Sequence, residues 1–211
     1  MNLKQIREQV TTLKVLPVIK INELKHTLPL AKALIDGGLP AAEITFRSDC
    51  AQEAIKLIKS NYPDMLVAAG TIVNKEQAKA AIMAGADFLI SPGIDRELVK
   101  YCVDHNYIII PGVTSASEAQ LALNLQLEVV KFFPAETSGG YKAINALSAP
   151  FPQLEFMPTG GINENNINEY LKQPKIIACG GSWMVKEELI VNEKFDEITK
   201  LVREAITRVN Q

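Results

Sequence analysis

Short apolar runs alternate with amphipathic stretches along the whole chain. The runs are Val15–Ile21, Ala41–Phe46, Leu66–Gly70, Phe88–Ser91, Ile108–Pro111, Val129–Phe133, Leu154–Pro158 and Ile176–Cys179. Between them apolar residues recur at helical spacing, over Leu28–Asp36, Cys50–Ser60, Lys75–Ala84, Glu97–His105, Ser117–Leu125 and Glu164–Lys172. One more helix precedes the first strand and another covers Phe195–Val209. Strand and helix in strict alternation predict a parallel sheet covered by helices. About eight such units can close into a barrel or open into a doubly wound sheet. No Gly-x-Gly-x-x-Gly follows the first strand, which weakens the dinucleotide-binding sheet. The 211 residues suit a compact barrel, and no linker or low-complexity tract divides them. The expected fold is therefore α/β, a TIM (β/α)8 barrel with an extra N-terminal helix, in one domain over residues 1–211.

Composition narrows the partners. The chain is 47% hydrophobic and 22% charged, with a net charge of -2. That balance argues against nucleic acid, which favours a basic face. No apolar run approaches the roughly 20 residues of a membrane span, so no membrane partner is expected. The first ten residues carry charges where a signal peptide needs an apolar stretch. Cys50, Cys102 and Cys179 are scattered and form no Cys-x-x-Cys pair. Three free thiols and a cytoplasmic location are expected. His26 and His105 fall in polar helical contexts and read as surface residues.

In a barrel the chemistry collects at the C-terminal ends of the strands. Lys131 interrupts Val129-Val130-Lys131-Phe132-Phe133, a run that reads as a strand buried on both faces. Burial disfavours a lysine's charged form, and a neutral amine attacks carbonyls. The plain alternative is a strand-end lysine whose head reaches solvent. Glu43, Thr45 and Arg47 share one face of the second strand, the interior of a barrel. Two opposite charges there are either a structural salt bridge or part of a site. Thr71 follows Gly70 at the end of the third strand, where it either caps the next helix or binds a carbonyl or anion. Ser91-Pro92-Gly93 and Pro111-Gly112 mark tight exits from strands four and five. Gly160-Gly161 and Gly180-Gly181 follow strands seven and eight. There TIM barrels often bind phosphate, although two tight turns would also use these glycines. No Asp/Glu/His cluster has metal-site spacing, so no metal is expected.

The segments Glu43-Ile44-Thr45-Phe46-Arg47, Ala69-Gly70-Thr71, Ser91-Pro92-Gly93, Val130-Lys131-Phe132-Phe133-Pro134-Ala135-Glu136, Pro158-Thr159-Gly160-Gly161 and Gly180-Gly181-Ser182-Trp183 resemble, in order, those of the 2-keto-3-deoxy-6-phosphogluconate (KDPG) / 4-hydroxy-2-oxoglutarate (KHG) aldolases. The likeness spans nearly the whole chain. It implies a class I aldolase on a TIM barrel, a homotrimer working without metal or other cofactor on a phosphorylated 2-keto acid. By the same resemblance Lys131 would form the Schiff base and Glu43 would shuttle protons. Arg47 and Thr71 would hold the substrate carboxylate, with Pro92 adding a backbone contact. Phe133, on the face of Lys131, joins the substrate-binding set, and Thr159 would lie beside the cleaved bond. Gly160, Gly161, Gly181 and Ser182 would form the phosphate pocket. Three other readings stay open: an aldolase for the epimeric phosphogalactonate derivative, a sugar-phosphate epimerase using Lys131 as an acid/base, and a non-catalytic sugar-phosphate-binding barrel.

Overall fold

The computed structural model describes residues 1–211. Its strands are β1 (Val15–Ile19), β2 (Ala41–Thr45), β3 (Leu66–Gly70), β4 (Phe88–Ile90), β5 (Ile109–Ile110), β6 (Gly112–Val113), β7 (Val129–Phe132), β8 (Glu155–Pro158) and β9 (Cys179–Gly181). Its α-helices are α1 (Leu3–Leu13), α2 (Thr27–Asp36), α3 (Ala51–Asn61), α4 (Lys75–Met83), α5 (Arg96–Asp104), α6 (Ala116–Asn124), α7 (Gly140–Ser148), α8 (Ile167–Leu171), α9 (Glu187–Val191) and α10 (Phe195–Val209). Every strand pair is parallel. One sheet runs β5-β4-β3-β2-β1-β9 and a second runs β6-β7-β8. The architecture is thus an α/β fold with curled parallel sheets, and its ladder is not a continuous ring of eight strands. Two places interrupt it. Pro111, which has no N–H to give, separates β5 from β6: the strand expected over Ile108–Pro111 shortens to Ile109–Ile110, and Gly112, expected in a tight exit, opens a further strand. Between β8 and the last strand only the isolated bridges Phe156–Ile176 and Thr159–Gly180 form.

Side chains alternate across the sheets into two cores. Ala42, Ile44, Val67, Ala69, Leu89, Val130, Phe132 and Phe156 face the helices. Ala41, Leu66, Ala68, Phe88, Ile90, Ile110, Val129 and Met157 face inward, where Ile6 and Val10 of α1 join them. All four residues of β7 are buried, as the apolar run predicts. Asn74, Asp95 and Ser115 cap α4, α5 and α6 with side-chain oxygens. The cap of α4 is therefore Asn74, and Thr71 is free of that duty.

Three local expectations need correction. His26 is buried, 2% exposed, because the short turn Leu24–His26 tucks its ring towards Phe195; His105 is exposed. The helix expected over Glu164–Lys172 shortens to Ile167–Leu171. Asn166 and Asn163 side chains accept hydrogen bonds from the N–H groups of Asn163 and Asn165, which favours a turn over helix there. The last strand starts at Cys179 rather than Ile176, because its ladder to β1 begins at Val15–Cys179.

Candidate active site

Lys131 and Glu43 are far apart in sequence and adjacent in space. The Lys131 ammonium donates to Glu43 Oε1 at 3.2 Å. Glu43 is 1% exposed and Lys131 6%. Lys131 is therefore not the unpaired lysine that the strand pattern suggests, and the partner of Glu43 is not Arg47. β2 and β7 belong to different sheets, and only their curvature lets the inner faces meet. Pairing offsets the cost of burying either charge alone. The aliphatic floor below them, including Ala41, Leu66 and Val129, belongs to the inner core.

The strand ends arrange the remaining candidates around this pair. Gly70, on β3 beside β2, leaves room for Glu43: a Cβ there would sit 2.2 Å from Glu43 Oε1. Thr71 follows with φ 59°, left-handed backbone that a β-branched residue rarely adopts. Such strain costs about 1–3 kcal/mol and collects at functional positions. The Phe133 ring lies under the Lys131 ammonium, 5.2 Å from nitrogen to centroid. Thr159 is buried and its backbone bridges to Gly180. Pro92 is half-buried just beyond β4; neither it nor Thr71 hydrogen-bonds to the Lys131–Glu43 pair.

Arg47, Gly161 and Ser182 line one open cavity of about 520 Å³, together with Val18, Lys20 and Lys186. Arg47 Nε donates to Thr45 Oγ1 at 3.2 Å, and that hydroxyl donates to the Ile19 carbonyl at 2.9 Å. Thr45 thereby steadies the arginine, a part the sequence reading left unassigned. The Gly160-Gly161 turn takes φ values of 104° and 79°, which suit glycine. It is laced to the segment after β7 by hydrogen bonds from Ala135 N–H to the Thr159 carbonyl and from Glu136 N–H to the Gly160 carbonyl. The Glu136 side chain covers Gly161 so closely that a Cβ there would lie 2.6 Å from it. The Tyr170 hydroxyl in turn donates to Glu136. Burial, and then this bond to a carboxylate, push the Tyr170 hydroxyl well above the usual tyrosine range. Lys20 and Tyr170 were missed in the sequence. Lys20 carried the same signal as Lys131, a charge interrupting an apolar run, here Val15–Ile21. Tyr170 carried none.

A buried amine beside one carboxylate can form and break bonds to carbonyl carbon, and the open cavity lined by Lys20, Arg47, Lys186, Gly161 and Ser182 can hold an anion. The family model described as "KDPG and KHG aldolase" matches residues 6–201. The chain is 49% identical over 203 residues to a 2-dehydro-3-deoxy-phosphogluconate aldolase of Haemophilus influenzae, covering 96% of each. It is 42% identical over 197 residues to a KHG/KDPG aldolase of Escherichia coli K12, covering 93% of this chain and 92% of that one. A solved KDPG aldolase of Legionella pneumophila, with pyruvate captured at low pH as a covalent carbinolamine intermediate, matches with a TM-score of 0.90. That match has 42% identity and covers 94% of this chain and 97% of the other.

Proposed function

The chain belongs to the KDPG and KHG aldolase family, and we propose that it is a class I aldolase with Lys131 as its imine-forming residue. It cleaves 2-dehydro-3-deoxy-6-phosphogluconate to pyruvate and glyceraldehyde 3-phosphate, and 4-hydroxy-2-oxoglutarate to pyruvate and glyoxylate. The observation that carries this reading is the buried Lys131–Glu43 contact of 3.2 Å. Glu43 accepts a proton from Lys131, and the freed amine attacks the C2 ketone. Glu43 returns that proton to the carbinolamine hydroxyl, which leaves as water, and the resulting protonated imine draws electrons from the C3–C4 bond. Glu43 takes the C4 hydroxyl proton as that bond breaks and the aldehyde leaves. The enamine is then protonated at C3, and hydrolysis releases pyruvate and restores the amine. A single carboxylate next to the amine suits this sequence, because each transfer returns what the previous one removed.

Arg47 suits the substrate carboxylate, since its planar guanidinium can meet two oxygens at once. Thr71, Pro92, Phe133 and Thr159 surround the reacting carbons in this reading. Gly160, Gly161, Gly181 and Ser182 receive the phosphate, and remote binding there fixes the reacting bond in position. Thr159 places a hydroxyl near the cleaved bond, which favours the gluconate over the galactonate epimer.

We read the two sheets as one (β/α)8 barrel over residues 1–211, with β5 and β6 as one bent strand and the Thr159–Gly180 bridge as its seam. A homotrimer is supported by the family likeness and by the exposed Met83 and Val103 on the neighbouring helices α4 and α5. No helix is long and apolar enough to cross a membrane, and the three free cysteines suit a reducing cytoplasm. Incubation with pyruvate and borohydride should add one reduced pyruvyl group, mapped to the peptide holding Lys131. No mass gain, or a gain on another lysine, would overturn the assignment.

A further inference from the structure

Lys20 follows directly on β1, and β1 lies between the two halves of the proposed site. On one side is β2, which carries Glu43 and leads to Arg47; on the other is β9, which leads to Ser182. Val18 is level with Glu43 and Pro17 with Gly181. Paired residues of neighbouring strands project to the same face, and so do residues two apart on one strand. Val18 and Lys20 therefore project with Glu43, and both line the cavity that Arg47, Gly161 and Ser182 line. The Lys20 side chain is 34% exposed, so much of its stem is packed. Its ammonium lies 3.6 Å from Glu187 Oε1, and the Asn22 amide donates to the same oxygen at 2.6 Å.

Around this cavity three cations, Lys20, Arg47 and Lys186, face the single carboxylate of Glu187. With Arg47 engaged on the keto-acid carboxylate, Gly161 and Ser182 supply only neutral donors to the far end of the substrate. Neutral donors donate equally to any acceptor, whereas a phosphate dianion calls for a cation, and lysine serves phosphate as a point charge. We propose that Lys20 is the residue that selects for the distal phosphate, and that Glu187 is the resident counter-anion that the phosphate displaces from it. This rests on the cavity being the distal anion subsite of the aldolase.

Initial rates separate this proposal from the aldolase reading itself. Lys20→Met should raise KM for the phosphorylated substrate by about tenfold, the low end for a lost hydrogen bond to a charged group in a half-exposed site, with kcat changed much less. The far end of 4-hydroxy-2-oxoglutarate is a carboxylate nearer the ketone than the phosphate-bearing carbon is, so on this proposal it stops short of Lys20. The ratio of kcat/KM values for the two substrates should therefore fall by about tenfold. Lys20→Arg should restore most of the ratio, and Lys32→Met, on the exposed face of α2, should leave it unchanged. Glu187→Gln should lower KM for the phosphorylated substrate below wild type. An unchanged ratio in Lys20→Met, or equal losses on both substrates, would overturn the phosphate role. A rise of KM in Glu187→Gln would overturn the counter-anion role. If the wild-type protein traps no pyruvate at Lys131, it is the aldolase reading that falls; a trapped adduct with an unchanged ratio removes Lys20 alone.

Discussion

Whether Glu43 can face Lys131 depends on the hydrogen that Gly70 carries in place of a side chain. A methyl group at Gly70 would sit 2.2 Å from Glu43 Oε1, so the carboxylate would have to turn away from the amine. Displacing a proton-transfer group by about an ångström can cost on the order of a hundredfold in rate. Gly70→Ala should therefore fold and lose about two orders of magnitude in kcat, with circular dichroism close to wild type. A turnover near that of wild type would mean that Glu43 does not need this position. At this scale the sequence was informative because buried charges are costly and stand out: Lys131, Glu43 and Arg47 were each visible as polar residues in apolar strands. What could not be read was their pairing. Glu43 and Arg47, sharing one face of the expected second strand, left a salt bridge and a site equally open, and only the curvature of the sheets shows that Glu43 meets Lys131. His26 was misread for a related reason, since its burial depends on Phe195, distant in sequence.

Elements hold the Gly160-Gly161 turn in place through contacts the sequence did not announce. The helix α8 presents Tyr170 to Glu136, and Glu136 covers Gly161 of the glycine turn. Tyr170→Phe removes one hydrogen bond to a carboxylate, worth about 1.5 kcal/mol, which is roughly 3–6 °C in Tm for a chain of this size. The pH dependence follows from the raised tyrosine. Its hydroxyl is held protonated in the folded state well above the value of about 10 that it has when unfolded. Its contribution is thus fully present below about pH 10 and is lost as pH rises beyond that towards the folded value. The stability gap between wild type and Tyr170→Phe, from urea melts at several pH values, should be flat from pH 7 to about 10 and narrow above. A gap that already closes between pH 7 and 9 would show that the clamp is not what Tyr170 provides. Helices and strands themselves were largely legible from periodicity. The exceptions, β5, β9 and α8, are places where a proline, a one-sided ladder or an asparagine turn overrides the apolar pattern.

For the molecule as a whole, the layering of the interior explains why one end is free for chemistry. Ile6 and Val10 of α1 pack against inward residues of the strands, including Leu16, Ala41, Phe88 and Met157, so the N-terminal helix plugs the floor below the polar layer. The N-terminal helix was predicted from the sequence; its place inside the sheet was not, because an amphipathic stripe does not say which face of a sheet it covers. Ile6 is fully buried. Ile6→Ala should cost about 2–5 kcal/mol through lost burial and the cavity left behind. In a chain of 211 residues that is a fall in Tm of roughly 4–20 °C. Because the plug lies at the opposite end of the strands from Lys131, the folded variant should give the same borohydride adduct at 20 °C as the wild type, on Lys131 if the proposed function holds. Thermal denaturation and the borohydride adduct, measured on the same preparation, test both halves. A small Tm change would mean that α1 merely lies against the floor of the sheets, and a lost adduct at unchanged fold would mean that the two ends of the strands are coupled.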